Sequence, residues 1–251
     1  MEPLWIWLIL AFFVIALLYS MVGFGGGSSY LAVLALAGLP YQHIPPIALI
    51  CNLIVAGTGF YYFLKGGHFN LRKALPFVVL SIPMAYWGGR IPIGKELFAI
   101  LLGLSLLAAA LRMLMPGDRF DGGREVSPKK AWAIGLPSGA ALGFLSGLVG
   151  IGGGIFLSPL LLFLRWVNVK QAGASASFFI IVNSLSGLLG QLHKGPIKGE
   201  WECLWFLGAV VFIGGQIGSR FGSFHVPKIV LQRVLALLIT AVAVKMMMGA
   251  S

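Results

Sequence analysis

The sequence predicts an all-α integral membrane protein built from two homologous halves, and three observations carry that prediction. Mean hydropathy is +0.95, with 59% hydrophobic and only 10% charged residues among 251, more apolar than a water-soluble core requires. Apolar runs of helical length recur along the chain, and about twenty such residues suffice to cross lipid. Third, the cluster Gly23-Phe24-Gly25-Gly26-Gly27-Ser28-Ser29 is echoed by Gly150-Ile151-Gly152-Gly153-Gly154. Successive glycines cost about 1 kcal/mol each relative to alanine in a helix and accept angles other residues avoid, so a helix breaks at each cluster. Within lipid, the freed N–H and C=O groups must face protein, water or a ligand.

Composition narrows the function. A net charge of +11 is accounted for by lysine and arginine retained in cytoplasmic loops, and no nucleic-acid partner is expected. The short alternating segments of a membrane β-barrel are absent. Cys51 and Cys203 fall in or beside apolar spans, which argues against a disulfide framework. The opening stretch MEPLWIWLILAFFVIALLYS has no basic leader region and carries Glu2, so it reads as a retained first helix. The expected location is a cell membrane, multi-pass, of the bacterial inner-membrane kind.

Residues 4–22 form the first span, whereas 30–39 after the glycines are too short to cross alone and predict a half-helix or re-entrant segment. The connector 40–46, PYQHIPP, should stop that segment, because proline cannot continue a helix. An apolar span over 47–64 carries Asn52, and a polar turn covers 65–73. The next spans are 74–89, with Pro76 and Pro83 and ending at Arg90, and 96–115, with Arg112 in its last turn. Residues 116–130, PGDRFDGGREVSPKK, are hydrophilic and rich in turn formers. They predict a cytoplasmic linker between an N-terminal transmembrane repeat (1–115) and a C-terminal one (131–251). The pattern then restarts: 132–149, the second glycine break, a short 156–164, a connector 165–171, a span 174–192 with Asn183, a basic turn 193–198, then 201–218 followed by Arg220, and 226–248 with Lys245.

Gln42 corresponds to Gln171, Asn52 to Asn183, Lys65-Gly66 to Lys194-Gly195, and GGR at 88–90 to GSR at 218–220. These pairs predict an internal duplication. If each short segment crosses, the halves are inverted, and Lys65, Arg72, Lys73, Arg165, Lys170 and Arg220 share the linker's face, opposite Arg90 and Lys194. If it re-enters and returns, Arg165, Lys170 and Arg220 leave that face and Lys194 joins it. Both keep the linker cytoplasmic, and the stronger bias favours inversion.

Twin glycine breaks, each followed by a short apolar piece and a small-residue span ending in Lys-Gly, resemble the sulfite exporter TauE/SafE family, the TSUP permeases. The resemblance extends over residues 4–248. It implies a secondary permease for small sulfur-containing anions such as sulfite or organosulfonates; from the residues themselves, no cofactor or metal is expected. Pro45-Pro46 departs from the small-residue pattern seen at Ala172-Gly173-Ala174-Ser175 in the second half, which implies an asymmetric site.

The chemistry of anion transfer points to the same places. An anion leaving water needs fixed donors, and a half-helix N-terminus offers free N–H groups with about half a positive charge. The candidate binding residues are Gly25, Gly26, Gly27, Ser28, Ser29 and Asn52 in the first half, and Gly152, Gly153, Gly154, Ser175, Ser177, Asn183 and Gln191 in the second. Competing structural roles stand beside these: close helix packing for the glycines, interhelical glue for the asparagines, back-bonding within their own helix for the serines. Cys51 fits an apolar filler, and Arg90 and Arg220 fit lipid-phosphate contacts or gating. All seven acidic residues lie at span ends or in loops, so an intramembrane carboxylate relay for protons or sodium is hard to build. Paired carboxylates, metal spacing and a Ser–His arrangement are missing from the spans, and no enzyme is expected. The alternatives are a passive anion channel and a membrane-embedded sulfur-handling enzyme, with a homo-oligomer left open.

Overall fold

A computed structural model describes residues 2–94, 96–101, 103, 104, 107, 126–195 and 201–222. Among the described residues, eight helices have defined bounds: α1 (Glu2–Met21), α2 (Gly27–Leu36), α3 (Ile44–Lys65), α4 (Leu71–Arg90), α5 (Pro128–Val149), α6 (Gly154–Phe163), α7 (Val169–Leu192) and α8 (Trp201–Gly222). No β-strand occurs among the described residues. The stretches Ile44–Lys65, Pro128–Val149, Lys170–Leu192 and Leu204–Phe221 are long and apolar enough to cross a membrane. The expected span at 226–248 lies outside the described residues, as do 116–125 of the linker and most of 96–115, although 96–101 are helical.

Local sequence moves several expected boundaries. Pro45 and Pro46 do not belong to the connector; they form the first turn of α3, where a missing N–H costs no bond. Likewise α5 begins at Pro128, inside the stretch expected as linker. Gln171 is not a connector residue: Asn168 caps α7 by accepting from Gln171 N at 2.9 Å, and the Gln171 side chain accepts from Asn168 N at 3.3 Å. The two short helices end alike. Leu39 N donates to Leu34 O and Trp166 N to Leu161 O, both at 3.2 Å, with Gly38 and Arg165 in left-handed conformations (φ 78° and 57°).

The helices exchange partners between the halves of the chain. α1 packs on α8 and α5 on α4, while α3 packs on α7 and α8, and α4 on α7. Two of these seams are made by small residues. Gly135, Gly139, Gly143 and Gly147 press α5 against α4 at Pro76, Phe77, Ser81 and Ala85; a Cβ on Gly139 would run into the Phe77 carbonyl. Gly214 and Gly218 do the same for α8 against Phe13 and Leu17 of α1. Outward faces carry Trp7, Trp87, Trp205, Phe206 and Ile213, all exposed, a surface suited to lipid.

Polar contacts sort the helix ends. Lys73 Nζ donates to Trp166 O at 2.7 Å, Tyr62 OH to Gln216 Oε1 at 3.1 Å, and Arg220 Nε to Tyr62 OH at 2.9 Å. These join the α3–α4 turn, the α6–α7 connector and the C-terminal end of α8. The start of α3, the residues after α4 and the residues after α7 instead line a shared cavity.

Candidate functional site

Both glycine clusters break the chain in the same way. Gly23 and Gly26 in the first, and Gly150, Gly152 and Gly153 in the second, have φ between 74° and 89°, which a side chain would strain. Gly26 and Gly153 cap α2 and α6. Ser29 N and Tyr30 N bond back to Gly26 O at 3.0 Å, and Phe156 N to Gly153 O at 3.1 Å. The earliest N–H groups of each short helix have no intrahelical acceptor by construction.

The two breaks touch, and Asn52 of α3 joins them. Asn52 is fully buried, and its Nδ2 donates to Ile151 O of the second break at 2.9 Å. The same side chain occupies the space a Cβ would need at Gly25, Gly27 and Gly152, and a Cβ on Gly27 would lie 2.7 Å from Ile151 O. Gly25 and Gly27 are therefore required by crowding, not by backbone angle. Among the described residues, Asn52 Oδ1 has no hydrogen-bond partner, and neither have the buried Ser146 Oγ and Ser184 Oγ. Ser184 adjoins Gly152 and Ser146 adjoins Gly153. Three buried polar groups without partners, one carbonyl oxygen and two hydroxyls, are costly at one junction, since each unsatisfied group costs about 1–3 kcal/mol.

The other expected residues divide. Ser29 Oγ lies 2.8 Å from Tyr19 OH, and Ser28 Oγ 3.5 Å from it, so Tyr19 ties down the first-half hydroxyls. Ser177 Oγ donates to Gly23 O at 2.7 Å, with Gly173 O of its own helix at 3.0 Å, satisfying a carbonyl freed by the first break. Ser175 is buried on α7. Asn183 Nδ2 donates to Phe179 O at 2.8 Å, one turn back in its own helix, so it does not mirror Asn52. Gly154 packs on Ile180, which with Asn52 fills the junction. Sequence reading passed over Tyr19, Ser146, Ile180 and Ser184; the two serines interrupt apolar spans, and that was the available signal.

Gln191 lies elsewhere. It lines a cavity of about 500 Å³ with Tyr41, Gln42, His43, Pro45, Leu148 and Lys194, among others. Gln191 Nε2 donates to Gly147 O at 2.9 Å, and Lys194 Nζ donates to Gln191 Oε1 at 2.9 Å. Partial loss of water lowers the Lys194 pKa to about 8. The cavity borders the second break, because Gly150 packs directly on Pro45.

Membrane-crossing helices, two interrupted helices meeting inside the fold, and buried polar groups at their junction define the class of membrane transporters with broken helices. The chain belongs to the sulfite exporter TauE/SafE family, whose family model matches residues 8–246. It is 34% identical over 255 residues to the probable membrane transporter protein y4hK of Sinorhizobium fredii, covering 96% of this chain and 97% of that one. It is 22% identical to the probable membrane transporter protein YunE of Bacillus subtilis, over 88% and 90% of the two chains. A 26% match to the probable membrane transporter protein MamO of Paramagnetospirillum magneticum covers 91% of this chain but 42% of that protein. No solved structure matches significantly.

Proposed function

We propose that the chain is a secondary permease for small sulfur-containing anions, such as sulfite or organosulfonates, bound where the two glycine breaks meet. The observation that carries this reading is Asn52, buried between both breaks, with Nδ2 donating to Ile151 O and its side chain filling the space beside Gly25, Gly27 and Gly152. Movement of its amide frees the N-terminal ends of α2 and α6, whose N–H groups and partial positive charge replace the anion's hydration. Neutral donors suit cargo that must also be released. On this reading Asn52 and Ile180, which crowd the glycines of the two breaks, move aside to admit the anion.

The repeat reading extends this. Residues 1–115 and 131–251 are two halves related by inversion about the breaks, joined by a cytoplasmic linker at 116–130. The reciprocal packing of α1 on α8 and α5 on α4 supports it, as does the sharing of one end of the bundle by Lys73, Trp166, Tyr62 and Arg220. With the acidic residues confined to span ends and loops, the anion's own gradient and the membrane potential drive transport.

Uptake by protein reconstituted in liposomes, tested with sulfite, thiosulfate, sulfoacetate, taurine and sulfate, checks the function. Gly26→Leu and Gly153→Leu are expected to abolish uptake of the accepted anion while the protein is still produced. Unchanged flux in both variants removes the site.

A further inference from the structure

The cavity beside the second break has what the crowded junction lacks, namely open volume and a full charge. Its walls are two-sided. Tyr41 and Phe98, with ring centroids 6.4 Å apart, and Leu148 supply apolar surface, while Gln42, Gln191 and Lys194 supply polar groups. Lys194 donates to Gln191 Oε1, and an ammonium carries two further donors. Desolvation alone shifts its pKa, with no contribution from a carboxylate among the described residues. The volume of about 500 Å³ falls among sites for small organic ligands, which run from about 300 to 1,000 Å³. A bare oxyanion would occupy the space of only a few waters at about 30 Å³ each.

We propose that this cavity is a docking site at one mouth of the transport path and that it selects a small organic sulfonate, with the head group on Lys194 Nζ and the carbon body against Phe98, Leu148 and Tyr41. The inference rests on the permease reading and narrows its cargo to sulfur anions with a carbon skeleton. Gln191 couples the site to the break. Its amide holds Gly147 O, just before Gly150, which itself leans on Pro45 in the cavity wall. A head group that draws Lys194 away from Gln191 Oε1 therefore acts on the last turn of α5.

The site has a pH signature. Lys194 is charged below about pH 8 and loses its charge as pH rises through that value, so sulfonate binding weakens between pH 7 and 9.5. Among the described residues, the other titratable or charged groups nearby are Tyr41 and His43 on the α2–α3 connector, Glu96 two residues before Phe98, and His193 beside Lys194, with Tyr86 OH 3.4 Å from His193 Nε2 and Arg90 over the Tyr86 and Trp87 rings. Lys194→Arg separates Lys194 from these, since arginine keeps its charge throughout the window.

Calorimetric binding of butanesulfonate and of inorganic sulfate to the purified full-length protein, at pH 7 and pH 9.5, tests the proposal. Butanesulfonate is expected to bind about tenfold or more tightly than sulfate, as burial of its methylenes requires. Lys194→Gln should weaken that binding about tenfold, and Lys194→Arg should keep it and remove the drop at high pH. Equal affinities for the two anions, or Lys194→Gln binding like wild type, overturns the proposal; elution as a single species and the behaviour of Lys194→Arg exclude misfolding as the cause. Liposome uptake separates the two readings. If Gly153→Leu abolishes flux while Lys194→Gln leaves binding and KM as in wild type, the docking site falls and the permease stands. If butanesulfonate binds through Lys194 but no sulfur anion is taken up, the permease reading falls and the docking role with it.

Discussion

At the scale of single residues, the junction depends on one amide and the glycines that make room for it. Asn52→Ala leaves Ile151 O buried without its donor, which costs about 1–3 kcal/mol. Gly25→Ala drives a methyl group into Asn52 Oδ1, and such overpacking costs about 1–3 kcal/mol. In the double variant the methyl group enters the space vacated by Asn52, so the two losses should fall short of their sum by at least about 1 kcal/mol. Thermal unfolding of the four proteins in one detergent measures this; strictly additive losses would mean that the contact does not exist. Asn52 was legible in the sequence because an amide inside an apolar span needs a polar partner. Its partner was not legible, since periodicity identifies a helix face and says nothing of which backbone opposes it. The same gap explains Asn183, matched to Asn52 by position yet bonded to its own helix at Phe179 O. Ser177, on α7, reaches across to the first break at Gly23 O.

At the scale of elements, the α4–α5 seam is the firmest contact the sequence left unread. Its glycines recur every fourth residue at 135, 139, 143 and 147, a spacing that signals a close helix partner without naming it. Prolines misled in the opposite direction, because the residue that stops one helix also opens the next: Pro45, Pro46 and Pro128 all turned out to lie in first turns. The seam makes a contrast that needs no functional assay. A Cβ at Gly139 meets the Phe77 backbone, whereas one at Gly57 in α3 meets nothing within 4 Å among the described residues. Gly139→Ala should therefore lower the melting temperature by separating α4 from α5. Gly57→Ala should hold or raise it, since alanine is favoured over glycine in a helix by about 1 kcal/mol. Equal effects from the two substitutions would show that the seam carries no strain-sensitive contact.

At the scale of the whole molecule, the question is whether the short helices cross the membrane or turn back, because that fixes whether the halves are inverted. Charge counting left both open, with a modest preference for crossing. Lys73 reaches Trp166 O, so the α3–α4 turn and the α6–α7 connector lie together at one end, while Gln42 and Lys194 line the cavity at the start of α3. Crossing puts Arg72 and Lys170 on the cytoplasmic face with the linker, and Gln42 on the other face. Re-entry leaves Arg72 cytoplasmic and moves Lys170 across. All three positions are exposed, and natural thiols are removed by Cys51→Ala and Cys203→Ala. In that background, Gln42→Cys should react with a membrane-impermeant maleimide in intact cells, whereas Arg72→Cys and Lys170→Cys should react only after permeabilisation. Labelling of Lys170→Cys from outside would end the inverted arrangement.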